Sequence, residues 1–174
     1  MNERQAQKRI RTTETILTAA KELIHENGFN RLSLRAVAAR AGFSPASLYE
    51  YFTGKDDIID GLCAQIDQSW AEQLKTADSV QEVILGYVEF GLTAPDDFQL
   101  LYQRAMLPEQ VEYIPQLFRE RIAKQSAGLS VSAEVAVQAM WSLAHGMVLL
   151  SLHRDMNTDH HRQMVQMTWK GLQK

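Results

Sequence analysis

Apolar side chains recur at three- and four-residue intervals along most of the chain, and no stretch alternates in the manner of a half-buried strand. From about Thr12 to Asn27, Ile16, Ala19, Ala20, Leu23 and Ile24 share one stripe, which Asn27-Gly28 stops. Residues 1 to about 10 are polar and read as an arm or a frayed helix start. Ser33 is a good N-cap for a short helix carrying Leu34, Val37, Ala38 and Ala41 and ending at Gly42. Ser44 is another N-cap, with Pro45 at the first helical position and Leu48 and Phe52 four apart on an inward face. Two short helices joined by a glycine turn form a helix-turn-helix. A longer helix from Lys55 to about Thr76 follows, burying Ile58, Ile59, Leu62, Ile66, Trp70 and Leu74, and Thr53 with Asp56 can form its capping box.

The second half keeps the helical period. Ser79 and Glu82 form a capping box for a helix to about Gly91, and Thr93-Ala-Pro-Asp96 opens another that carries Phe98, Leu101, Tyr102 and Met106 up to Pro108. Val111 to about Lys124 is interrupted or restarted at Pro115, and Gly128 ends it. The stretch from about Ser132 to His153 is apolar on nearly all sides, so it must be buried on all sides. A second copy of the chain is the natural cover, with Thr158 to Leu172 as an amphipathic partner helix. The expected architecture is all-α: a three-helix DNA-binding domain (1–55), a connecting helix (56–76) and a helical effector-binding and dimerisation domain (77–174).

The charge distribution alters the picture more than its total. The net charge of −3 argues mildly against a nucleic-acid partner, yet residues 1–55 hold nine Lys and Arg against five acids, a net +4, and the remainder is −7. A basic end on an acidic body points one face toward phosphate. The single cysteine, Cys63, falls on an apolar helical stripe and reads as a small buried hydrophobe. No signal-peptide pattern and no apolar run of membrane-spanning length is expected, which places the protein in the cytoplasm without a membrane partner. Of the five histidines, His160 and His161 are adjacent and point apart, and His153 has no ligand spacing to them, so no metal is expected. No nucleotide, metal-protease or hydrolase motif is present and no cofactor is implied, so an enzyme is not expected. Tyr87, Phe98, Tyr102, Met106, Trp141 and His145 can line a pocket for an apolar effector or can be ordinary core, and His145 in particular suits a satisfied core histidine.

The block from Thr13 to Ile59 resembles the TetR-type transcriptional regulators. It contains a first helix ending in Gly28 and Phe29, the AxxAG turn from Ala38 to Gly42, and the LYxYFxxK pattern carried by Leu48, Tyr49, Tyr51, Phe52 and Lys55. Gly54 departs from the polar cap that the family often has there. Trp141, His145 and Gly146 resemble the W-x-x-x-H-G signature of one TetR branch. The resemblance implies a site. Arg35 would read a guanine edge, Tyr49, Tyr51 and Lys55 would anchor phosphates, and Ser33 and Ser44 would add hydroxyls at helix N-termini. Pro45, Ala46 and Ser47 would head the recognition helix and touch bases through apolar contacts. Glu50 can pair with a basic residue or accept from a cytosine amine.

Three functions fit these readings. The first is a homodimeric repressor released from an inverted-repeat, double-stranded DNA operator by a small, largely apolar effector. The second is a constitutive dimeric DNA-binding protein with no effector, and the third is a helical adaptor or enzyme that keeps the motif as scaffold. The charge asymmetry and the intact LYxYF…K face speak against the third.

Overall fold

The computed structural model describes residues 2–104, 113–153 and 157–174. Its helices are α1 (Glu3–Asn27), α2 (Leu34–Ala41), α3 (Pro45–Leu48), α4 (Lys55–Leu74), α5 (Val80–Thr93), α6 (Pro95–Arg104), α7 (Tyr113–Lys124), α8 (Ala133–Ser151) and α9 (Thr158–Gly171). Among the described residues the only strand-like pairing is one isolated bridge between Leu129 and Gln173. The chain divides into two compact units, Met1–Gln65 and Ile66–Lys174, and the division falls inside α4.

In the first unit, α1 begins nine residues before the expected Thr12. The Asn2 side chain accepts from the backbone N–H groups of Arg4 (2.8 Å) and Gln5 (3.4 Å), while the Gln5 side chain accepts from the Asn2 N–H. This reciprocal capping starts a helix where no apolar stripe announces one, and corrects the reading of residues 1–10 as an arm. The core is built from Ile16 and Ala20 of α1, Leu32, Val37 and Ala38 around α2, Leu48 and Phe52, and Ile58, Ile59 and Leu62 of α4. Each large aliphatic side chain among them contributes about 1.5–3 kcal/mol through burial. Ser33 caps α2 by accepting from the Ala36 N–H at 3.2 Å, and Gly42 ends it in the left-handed region at φ 78°. Ser44 caps α3 with Pro45 as its first residue, but α3 spans only four residues, and Tyr49 to Tyr51 continue as turns. At the start of α4 the Thr53 N–H and hydroxyl both donate to Asp57, at 2.8 and 3.1 Å. The expected partner was Asp56; the observed carboxylate lies one residue further on.

In the second unit, Ser79 and Glu82 form their capping box, and α5 continues past Gly91 to Thr93. Thr93 does not cap α6; its hydroxyl donates back to the Glu89 carbonyl at 2.9 Å and finishes α5. The expected end of α6 at Pro108 lies outside the described residues. The expected start of α7 at Val111 lies outside the described residues; from Tyr113 the helix runs unbroken through Pro115 to Lys124. α7 closes at Lys124, and the expected stop at Gly128 instead ends a separate 3₁₀ turn, Ser126–Gly128.

Helix α8 packs against α5, α7 and α9 and buries Ala136, Met140, Ala144, Met147 and Val148, one stripe along its length. Within the single chain it is not covered on all sides, since Val135 and Leu150 are exposed, as is Met167 on α9. Among the described residues α8 is the one helix whose length and composition would suit a membrane span, although Gln138, Ser142 and His145 interrupt it.

Candidate functional site

The residues expected to meet DNA lie within the basic segment 1–55 of the first unit, and short helices present them. Arg35 is exposed on the first turn of α2, and its guanidinium makes no hydrogen bond or ion pair with the described residues. Arg40 is engaged differently. Its guanidinium holds Glu26 at 2.6 Å and Glu22 at 3.2 Å, tying α2 to α1 and holding the Glu26 carboxyl below its ordinary range through that hydrogen bond. Pro45 and Ala46 are exposed, Ser47 is half-buried, and the Ser44 and Ser47 hydroxyls lie 2.9 Å apart. A face headed by Pro, Ala and Ser lets a helix backbone approach a surface closely.

Of the expected phosphate anchors, Tyr49 is 59% exposed and Tyr51 is half-buried. Lys55 is already engaged within the unit. Its ammonium donates to the Phe29 carbonyl at 3.2 Å and sits 5.1 Å from the centre of the Phe29 ring, fastening the start of α4 to the α1–α2 connection. Two of its protons remain for another acceptor. The Ser33 and Ser44 oxygens serve their helix caps, which leaves the Ser33 hydroxyl proton free to donate outward. Glu50 is exposed, and its backbone carbonyl accepts from Arg9 at 3.3 Å.

Arg9 and Asp67 were not singled out by the sequence. The Arg9 guanidinium also lies over the Tyr51 ring, 5.1 Å from its centre. Asp67 of α4, fully buried, accepts from the N–H groups of Tyr113 (2.7 Å) and Ile114 (3.2 Å) and so caps α7 from 46 residues away. Arg121 of α7 is buried and donates to the carbonyls of Ala77 (2.7 Å) and Lys75 (2.9 Å) just beyond α4.

The second unit gathers five of the six residues considered for an effector; Met106 lies outside the described residues. Tyr87 and Phe98 are buried, Trp141 and His145 half-buried, and Tyr102 is 47% exposed. His145 is the hub of the cluster. Its ring lies 5.1 Å from that of Phe98, 5.4 Å from Trp141, and 5.6 Å from both Tyr87 and Tyr102, and its Nδ1 is 3.0 Å from the Tyr87 hydroxyl. Burial holds His145 below its ordinary pKa, hence neutral near pH 7. Burial, with the charge of Asp67 adding to it, pushes the Tyr87 hydroxyl above the ordinary phenol range. His161 is a satisfied core histidine, 2.8 Å from the Ser151 hydroxyl. No cluster of three or more metal-ligating side chains occurs among the described residues.

Comparison with known proteins places this arrangement. Residues 16–62 match the family described as bacterial regulatory proteins, tetR family, and residues 80–169, half of the chain, match the tetracyclin repressor-like C-terminal domain. The chain belongs to the TetR family. The nucleoid occlusion factor SlmA of Cronobacter sakazakii is 30% identical over 136 residues, which are 72% of this chain and 68% of SlmA. The transcriptional regulator UidR of Escherichia coli K12 is 37% identical over 54 residues, 31% of this chain, and the match spans 28% of UidR's length. A TetR transcription regulator from Haloarcula marismortui has the same fold, with a TM-score of 0.71 at 17% identity over 94% of this chain and 99% of that one. The TetR-family fold, a helix-turn-helix followed by a helical C-terminal domain, is the one observed.

Proposed function

We propose that this TetR-family protein is a cytoplasmic, homodimeric DNA-binding repressor. The observation that carries the reading is the exposed face of the helix-turn-helix, where Arg35, Pro45, Ala46 and Tyr49 share a segment, residues 1–55, of net charge +4. Ser33, Ser44, Ser47, Tyr51 and Lys55 complete the set. A two-fold dimer built through α8 and α9, whose exposed Val135, Leu150 and Met167 a second copy would cover, presents one recognition helix per subunit. Its operator is then an inverted repeat with half-site centres about 34–36 Å apart, or a multiple of that. Selection of binding sequences from a random DNA pool tests this. Recovery of inverted repeats is the expected result, and recovery of only unrelated, non-palindromic sequences refutes it.

Release by a small, largely apolar effector is the second part of the proposal, with the cluster around His145 as its site and Tyr102 as the exposed ring at the entrance. α4 is the continuous helix belonging to both units and is the lever in this reading. An effector acts only by binding the released state better than the DNA-bound one. One observation favours the constitutive alternative: the rings of Tyr87, Phe98, Trp141 and His145 pack on one another, and an effector must displace some of them. Screening apolar compounds for both a rise in melting temperature and loss of operator binding, in the native protein and in Trp141→Ala, separates the two. A compound that stabilises the protein and releases DNA only while Trp141 is present supports the effector site.

A further inference from the structure

The recognition element is too short to hold itself. α3 is a four-residue turn of helix, and one turn cannot offset the cost of helix nucleation, so its direction is set by whatever holds its two ends. The N-terminal end is held by the Ser44 cap and Pro45, and the inward face by buried Leu48 and Phe52. The outer side of the C-terminal end, residues 49–51, meets Arg9. That contact comes from a part of α1 with no core to serve. Burial in α1 begins at Ile16, yet a capping box at Asn2 and Gln5 extends the helix more than three turns upstream through side chains that are almost all exposed. Arg9 stands on this extension. It donates to the Glu50 carbonyl at 3.3 Å, a favourable place for a cation because carbonyls at a helix C-terminus carry partial negative charge, and it covers the Tyr51 ring at 5.1 Å.

We infer that Arg9 is a positioning residue for the DNA-reading face, fixing the end of the recognition helix and the ring of Tyr51 from outside the three-helix core. The inference rests on the reading of this face as DNA-binding. Arg9 acts on DNA through Tyr51 and the 49–51 turn and not by contacting phosphate. The extension of α1 is the rigid arm that carries it.

The test uses the full-length protein and an operator fragment taken from the random-pool selection, with binding followed by fluorescence anisotropy at several salt concentrations. Arg9→Ala should weaken binding by about 5- to 10-fold, the scale of an exposed cation–π contact and one hydrogen bond. The slope of log affinity against log salt should not change, because no phosphate contact is lost. Arg9→Lys, which keeps a cation over the ring, should recover part of the loss. In a Tyr51→Leu background Arg9→Ala should cost less than it does in the native chain, because only its hydrogen bond to the Glu50 carbonyl remains to be lost. Additive losses together with a slope smaller by about 0.9 would make Arg9 a phosphate anchor and overturn the inference. Amide exchange on the DNA-free protein gives an independent reading, since Tyr51 and Phe52 donate their N–H groups to the Leu48 carbonyl. Arg9→Ala should speed exchange at these two amides several-fold and leave α5 unaffected, and unchanged exchange overturns the clamp. A protein that selects no operator refutes the DNA-binding reading, and the exchange result then decides the clamp by itself.

Discussion

Replacing Asp67 tests the least expected feature of the second unit. Its two carboxylate oxygens accept from the first two N–H groups of α7, at 2.7 and 3.2 Å, and the third residue, Pro115, has no N–H to satisfy. One side chain therefore caps the helix start, and the negative charge lies at the positive end of the α7 dipole. Asp67→Ala removes both acceptors and leaves the N–H of Ile114, a residue only 1% exposed, without its carboxylate partner. With about 1.5–3 kcal/mol for a hydrogen bond to a charged group, and about 0.5–2 kcal/mol for a lost cap, a destabilisation of about 2–4 kcal/mol follows. Asp67→Asn keeps one acceptor oxygen but turns an NH₂ toward an N–H, so about 1–2 kcal/mol is expected. The three tryptophans, Trp70, Trp141 and Trp169, all lie within Ile66–Lys174, so urea unfolding followed by tryptophan fluorescence reports on this unit. At a slope of about 2 kcal/mol per molar urea, the alanine variant should shift the midpoint by about 1–2 M. A shift below about 0.25 M, or an asparagine variant as unstable as alanine, would refute the capping argument.

Other consequences can be checked with the same fluorescence, or with circular dichroism. A methyl group at Gly91 would lie 2.5 and 2.7 Å from the two Val148 methyls, so Gly91→Ala should cost about 1–3 kcal/mol by overpacking, and Val148→Ala in the same chain should relieve much of that loss. His145 and His161 are both held below their ordinary pKa by burial, with His160 adding to the effect at His161. Their folded values lie below the unfolded 6.5, so the stability they support is present above pH 6.5 and is lost as the pH falls, and His145→Asn should flatten that decline in urea titrations at pH 7.5 and 5.5. Glu26 has a lowered folded pKa, because Arg40 donates to it, so any advantage of the native protein over Glu26→Gln should be present at neutral pH and vanish as the pH falls through the carboxylate range, measured by thermal melts of helicity.

The features legible from the sequence are those whose chemistry is local. Ser33, Ser44 with Pro45, and Ser79 with Glu82 each cap a helix within three residues of themselves, and each is found where the sequence places it. The buried stripe of α4 is equally plain, since Ile58, Ile59, Leu62, Ile66, Trp70 and Leu74 keep the helical period without interruption. Periodicity detects only a helix with a face to bury, so it leaves the first ten residues open between arm and helix start, although Asn2 and Gln5 hold the capping signal. Asp67 also left a trace, as a lone carboxylate on the stripe Cys63, Asp67, Trp70 and Leu74, where a buried charge requires a partner. Which partner, 46 residues away, is a matter of tertiary placement. The same holds for Arg9, whose contact with Glu50 and Tyr51 spans about 40 residues and has no signature beyond a basic N-terminus.

The two long-range clamps on α7 constrain how any effector can work. Asp67 holds the start of α7, and Arg121, eight residues beyond Tyr113, holds the carbonyls of Lys75 and Ala77, eight and ten residues beyond Asp67. Eight helical residues span about 12 Å, so the two ties, set a matching distance apart, join α7 to the distal part of α4 and to the turn that follows it. Neither tie is a surface ion pair of negligible strength, since Asp67 and Arg121 are both buried and both bond to backbone groups. Breaking either one costs about 1.5–3 kcal/mol, which an effector would have to supply from its preference for the released state. A ligand that leaves both intact can displace the distal half of α4 only by carrying α7 with it. The aromatic cluster touches α7 directly, because the Phe118 ring meets Trp141 edge-on at 5.1 Å and Tyr87 at 6.2 Å. An effector that rearranges Trp141 therefore pushes on the helix already fastened to α4, and replacing Asp67 or Arg121 should weaken its effect on operator release more than its binding.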